Sequence, residues 1–290
     1  NYNTILGTSS APTLAGGSYN SIIGRRAGYS LTSGEYNSAL GNAALYSNQT
    51  GFGNVAMGSH AGYSFVGSGG VFLGYEAGRG VSSADCVFIG YQSGKRALGT
   101  GNVGIGYTAL YGADSTAANN TGTYNTAIGQ NTLKWFSKTV GSTAIGAEAG
   151  YYTTGSYNTF VGYKAGHGGT TSAPYSSGAN NTALGFQALT SFTTGHTNIA
   201  IGYQAMQAAT TTHDSIAIGY QALQYGGQDN NIAIGYQAGQ NITSARYNVI
   251  IGDSAGNALS TSDTNENVFI GNAAGRFADA ATNAAHYNVY

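Results

Sequence analysis

The chain has 290 residues, of which 7% are charged, 47 are glycine and 2 are proline, and its formal net charge is −1. So little charge excludes the electrostatic footprint that nucleic acid or an anionic membrane surface requires, while 23 tyrosines and 10 phenylalanines argue against disorder. Cys86 is the only cysteine, which rules out a disulfide framework or a cysteine metal site, and no run approaches the roughly 18 apolar residues of a membrane span.

Read in chain order, a single pattern recurs. An aliphatic residue precedes a glycine at Gly7, Gly24, Gly41, Gly58, Gly74, Gly90, Gly106, Gly129, Gly146, Gly162, Gly185, Gly202, Gly219, Gly235, Gly252 and Gly271. Successive glycines lie 16 or 17 residues apart, with longer steps at Gly106–Gly129, Gly162–Gly185 and Gly252–Gly271. Counting that glycine as position zero, position −3 is β-branched except at Ser21 and Ser38. Position −2 is Ala, Phe or Ile except at Gly104, and −4 is Asn except at Gly70, Cys86, Ser142 and Ser215. Position +3 is nearly always Ala, and +4 is Gly, Leu or Met in every copy but the first. The chain starts inside a repeat at Asn1, and Tyr287 to Tyr290 open a further copy, as in a segment of a longer protein.

Each copy predicts a strand that ends in a turn, because β-branched and aliphatic residues bounded by Asn and Gly fit a short extended run. The glycine implies a positive φ or the close approach of a neighbouring backbone. Helices are a poor alternative, because so many glycines would each cost about 1 kcal/mol relative to Ala. The expected fold is all-β: a parallel β-roll or β-solenoid of about sixteen coils, one elongated repeat domain over residues 1–290. Each coil has room for two short strands and two turns. Coils stacked about 4.8 Å apart would give a rod about 70 Å long, with an Asn ladder bonding from coil to coil.

In a strand, positions −3 and −1 share one face and −2 takes the other. Both faces are apolar here, as in Val268, Phe269 and Ile270, and such strands are normally buried on both sides. A single roll covers only its inner face, so the sequence predicts a homo-oligomer packed stripe to stripe. Phe72, Phe88, Phe160, Ile250 and Phe269 are the candidate core or subunit-interface residues. The number of subunits does not follow from this argument.

The runs Asn181-Thr182-Ala183-Leu184-Gly185-Phe186-Gln187-Ala188-Leu189 and Asn231-Ile232-Ala233-Ile234-Gly235-Tyr236-Gln237-Ala238-Gly239 resemble the head repeats of trimeric autotransporter adhesins. They are closer still to repeats of bacteriophage tail fibres that end in an intramolecular (endosialidase-type) chaperone domain. The likeness covers almost the whole chain and implies a homotrimer of left-handed parallel β-rolls. It further implies an extracellular place in a virion tail, as a structural and adhesive shaft that contributes to host-receptor attachment. The alternative is a bacterial surface adhesin head or a subunit of an extracellular filament.

Recognition of a cell-surface glycan or protein receptor would fall on the insertions near residues 111–123, 167–179 and 260–265, because insertions in solenoids map to surface loops. Tyr111, Asp114, Asn119, His167 and Tyr175 are the candidate contacts there, with Trp135, the only tryptophan, as an anchor if exposed and a turn filler if buried. Free drift of loop sequence is the competing reading. Tyrosines also recur at −5, +1 and +5, where they would stack from coil to coil or bind sugars. No catalytic set, metal site or cofactor motif can be assembled: the histidines His60, His167, His196, His213 and His286 fall at different repeat positions. Gly99 to Gly104 matches a dinucleotide-binding spacing only because glycine is part of the repeat. A glycan hydrolase would need paired carboxylates in a groove, so the chain is expected not to be an enzyme.

Overall fold

The computed structural model describes residues 2–112, 120–169, 175–226, 228–257 and 265–276. The chain divides into two compact units, Asn1–Ser142 and Thr143–Tyr290. The first carries β1 (Thr4–Leu6), β2 (Ser21–Ile23), β3 (Ser38–Leu40), β4 (Val55–Met57), β5 (Val71–Leu73), β6 (Val87–Ile89), β7 (Val103–Ile105) and β8 (Thr126–Ile128). The second carries β9 (Thr143–Ile145), β10 (Thr159–Val161), β11 (Thr182–Leu184), β12 (Ile199–Ile201), β13 (Ile216–Ile218), β14 (Ile232–Ile234), β15 (Val249–Ile251) and β16 (Val268–Ile270). Within each unit every strand pairs in parallel with the next in sequence, so each is an all-β solenoid of stacked coils.

Register follows repeat position rather than residue spacing. Thr159 pairs with Thr182 across the second long insertion, and Val249 pairs with Val268 across the third. Extra residues therefore leave the ladder intact. One expectation fails: each coil has one three-residue strand, not two. The remainder cannot extend because non-glycine residues at +2 and −5 take positive φ, as at Gln204 (54°), Gln221 (54°), Tyr36 (57°) and Tyr157 (59°). Such backbone costs about 1–2 kcal/mol per residue, and it is offset by bonds between coils. Gln204 N–H donates to the Phe186 carbonyl (2.9 Å), and Tyr36 N–H to that of Ser18 (3.1 Å). The turns are thus laddered as the strands are, which satisfies backbone groups the interior would otherwise orphan.

The repeat glycine answers both demands made of it. Gly202 has φ +131°, and a Cβ there would lie 2.3 Å from the Gly219 carbonyl oxygen. Position −4 forms the expected ladder on the inner side. The buried Asn37 side-chain amide donates to Asn20 Oδ1 (3.1 Å) and to the Gly51 carbonyl (2.9 Å), while its own Oδ1 accepts from Asn54. Where Ser215 replaces Asn, its Oγ takes the Asn231 N–H (3.1 Å).

The interior is filled from −2, +3, +4 and +7. Phe72, Phe88, Phe160, Ile250 and Phe269 are fully buried inside their own chain, so of the two roles open to them they take the core. Positions −2 and +4 share one volume. Where −2 is Phe, +4 is Gly: a Cβ at Gly78 would sit 2.2 Å from Phe72, at Gly166 2.3 Å from Phe160, and at Gly275 2.1 Å from Phe269. Where −2 is Ala, +4 is often a long chain, as in the buried pairs Ala39–Leu45, Ala127–Leu133, Ala183–Leu189, Ala200–Met206 and Ala217–Leu223. Close packing requires this exchange, because the coil circumference is fixed by the ladder.

Candidate recognition and assembly surfaces

Because −2 points inward, −1 faces outward. The result is a line of exposed or half-buried aliphatic side chains along each unit. In the first unit Leu40 is 44% and Met57 46% exposed, and in the second Leu184 is 45% exposed. Ile128, Ile145 and Ile234 are also exposed, whereas Ile201 and Ile218 are half-buried. Beside this line lies the +1 column. Tyr75, Tyr91 and Tyr107 stack at 5.3 Å between centroids, and in the second unit Tyr163, Phe186, Tyr203, Tyr220 and Tyr236 stack at 5.0–5.3 Å. The −5 column (Tyr2, Tyr19, Tyr36) and the +5 column (Tyr29, Tyr46, Tyr63) do the same. In a stack each ring face is covered by its neighbour. The inner rings present edges and hydroxyls outward, a poor platform for laying a sugar ring flat.

Where +5 is not aromatic, positions +2 and +5 form a polar strip. In the second unit it is a double glutamine ladder. Gln221 donates to Gln204 Oε1 (3.0 Å), Gln224 to Gln204 and Gln207 (3.3 and 2.9 Å), and Gln240 to Gln221 and Gln224 (both 2.9 Å). In the first unit the strip holds Glu76, almost fully buried, which accepts from Arg79, from Gln92 (2.8 Å) and from Lys95 (2.6 Å). Burial alone would push the Glu76 carboxyl up, but the Lys95, Gln92 and Arg79 hydrogen bonds hold it below the ordinary glutamate value.

The structure gathers two of the predicted contacts. His167 stacks on Tyr151 (5.3 Å) and meets Tyr152 edge-on (5.3 Å), and Tyr152 stacks on Tyr175 (5.8 Å). Glu148 lies 3.5 Å from the Lys164 ammonium and 3.6 Å from His167 Nε2. Burial lowers the His167 pKa, a displacement that the Gly168 carbonyl and Glu148 only partly oppose. Burial likewise raises that of Tyr152. Tyr111 lies elsewhere, under two cations: Lys95 Nζ is 5.7 Å and the Arg96 guanidinium carbon 5.6 Å from its ring centroid. Trp135 is half-buried, with Lys134 Nζ 5.6 Å from its ring. Asp114 and Asn119 lie outside the described residues.

Arg79, Lys95 and Arg96 are absent from the residues singled out in the sequence. Their signal was present, as two basic residues, Arg79 and Lys95, interrupting the +5 column between Tyr63 and Tyr111. Elsewhere His196 and His213 stack at 3.9 Å, and the His213 N–H donates to Asp229 Oδ1 (2.8 Å). Among the described residues no three His, Cys, Asp or Glu side chains gather where they could hold a metal ion, and no helix is long and apolar enough to cross a membrane. No protein-family model, no curated protein and no solved structure matches the chain.

Proposed function

We propose that this chain is a structural and adhesive shaft of a bacteriophage tail fibre, assembled as a homotrimer of left-handed β-rolls and contributing to host-receptor attachment. The observation that carries the assembly is the outward line of −1 side chains. Aliphatic residues recur there coil after coil, and Leu6, Leu40, Met57, Leu184 and Ile270 are among the most exposed. An apolar line of this kind along a unit is unstable in water and marks an interface. A second copy of the same chain presents a line with the same repeat, so identical surfaces can meet in register around a rotation axis. The subunit number and the tail-fibre setting come from the resemblance of the repeats.

The test is sedimentation equilibrium of the purified chain, parent against the triple variant Leu40→Lys, Met57→Lys and Leu184→Lys. The parent is expected at three times the chain mass, and the variant at the chain mass with an unchanged circular dichroism spectrum. A parent that sediments as a monomer at micromolar concentration sinks the assembly. Antibody against the chain that fails to label phage tails in electron micrographs, but labels bacterial surfaces, sinks the tail-fibre setting.

A further inference from the structure

The first unit contains a cationic cavity of about 290 Å³, lined by Ser64, Arg79, Gly80, Lys95 and Arg96. It exists because of the repeat. Ser64, Gly80 and Arg96 occupy position +6 of three successive coils, and Arg79 and Lys95 occupy +5 of the last two. Gly80 puts no side chain in the +6 column, and a Cβ built there would come no nearer than 3.7 Å to Arg96. Space is thus left over the Arg96 backbone, in a cavity that Arg96 itself lines.

Among the described residues the charges do not balance. The chain has 10 Lys and Arg in 290 residues, and three of them meet here. Glu76 supplies one negative charge, bound by Arg79 and Lys95. Arg96 takes part in no ion pair among the described residues; its guanidinium lies over the Tyr111 ring, which stiffens it without neutralising it. The Arg79 side chain is 43% and the Lys95 side chain 16% exposed, so both remain accessible from solvent while Glu76 is covered. An excess of cations around a partly enclosed hollow, with Ser64 in its lining, is complementary to an oxyanion.

We infer that this pocket binds a monosaccharide-sized ligand bearing one carboxylate or sulfate, with Arg96 as the principal anchor. The volume lies near the lower bound of ordinary small-molecule sites, about 300 Å³, which suits a single sugar unit and not an extended chain. A planar guanidinium grips either oxyanion through paired N–H donors. The pocket lies within one unit, so the inference stands apart from the proposed assembly.

The test is titration calorimetry of the whole chain with glucuronate, glucose 6-sulfate and glucose at low and high salt. Saturable binding of either anion, at least 10-fold tighter than glucose and weakened by salt, is expected; which anion binds identifies the source of the charge. Arg96→Gln should weaken it at least 10-fold, Arg96→Lys should retain part of it, and Arg246→Gln, outside the pocket, should leave it unchanged. Unaltered thermal melts show that the variants fold. No saturable binding, equal affinity for glucose, or full affinity in Arg96→Gln would overturn the assignment.

Discussion

The exchange between positions −2 and +4 can be tested as an interaction energy. In the coil of β10, Phe160 fills the interior and Gly166 leaves room for it, since a Cβ at 166 would stand 2.3 Å from two ring carbons. Phe160→Ala alone empties that volume, at about 3–5 kcal/mol. Gly166→Leu alone forces a side chain into the ring, about 1–3 kcal/mol, and places it at φ +53°, about 1–2 kcal/mol more. Simple addition predicts a loss of about 5–10 kcal/mol for the double variant. The double variant, however, recreates the Ala–Leu coil that the chain already uses at Ala183–Leu189 and Ala217–Leu223, where both side chains are buried. It should lose only about 1–3 kcal/mol, chiefly from the left-handed backbone at 166. The coupling is then at least about 2 kcal/mol. At about 2–4 °C per kcal/mol, the double variant should melt at least about 4–8 °C above the additive expectation. Calorimetric melts of the parent, both single variants and the double variant measure it. Stacked coils need not unfold in one step, so hydrogen exchange at the Gly162 and Gly185 N–H groups, which donate to Ile145 and Val161, supplies a local reading. Additive losses, with the double variant least stable of the four, would refute a shared volume.

Two further outcomes follow from the polar columns. Asn198→Ala removes the acceptor of the Ser215 N–H (3.1 Å) and the donor to the Thr212 carbonyl (2.6 Å), both buried, and should cost about 2–5 kcal/mol in thermal melts. Asn198→Ser should cost less, because Ser215 already serves in this column through its hydroxyl. For Glu76 the folded pKa is depressed below 4.5, so its contribution is fully present above that value and is lost as pH falls through the folded pKa. The difference in melting temperature between the parent and Glu76→Gln should therefore be greatest above about pH 5 and shrink in more acidic buffer. A gap that widens on acidification would contradict the network drawn around this carboxylate.

The strand, the repeat glycine and the Asn ladder were legible in the sequence because each depends on a residue type at one position. The inward face was not. Val87, Phe88 and Ile89 are apolar on both sides, and only the closure of the coil decides that Phe88 is interior and Ile89 outward. The second strand was expected wrongly because the left-handed residues at +2 are never Gly and those at −5 are Gly only at Gly53, Gly69, Gly101 and Gly141, and the bonds that hold them come from neighbouring coils. The pairing of −2 with +4 was visible in principle, since Phe at 72, 88, 160 and 269 is followed by Gly six residues on. The cationic pocket needed the coil register itself: Tyr63, Arg79, Lys95 and Tyr111 each lie 16 residues from the next and become neighbours only when coils stack.

This separates two kinds of information in the chain. Interior columns are bound by volume and by hydrogen bonds, and substitution there is answered within the coil, as Phe–Gly and Ala–Leu pairs show. Outer columns carry no volume constraint. Position +5 runs through Tyr29, Tyr46 and Tyr63, switches to Arg79 and Lys95, and returns to Tyr111 with no break in the register of β4 to β7. A stack of like rings supports its neighbours wherever it stands, so its repetition carries no local message. A break in the stack does, because it changes charge and shape at one coil while the backbone continues unchanged. In a repeat of this kind, departures from an outer column are where recognition can evolve without disturbing the fold, and the basic interruption between Tyr63 and Tyr111 is such a departure.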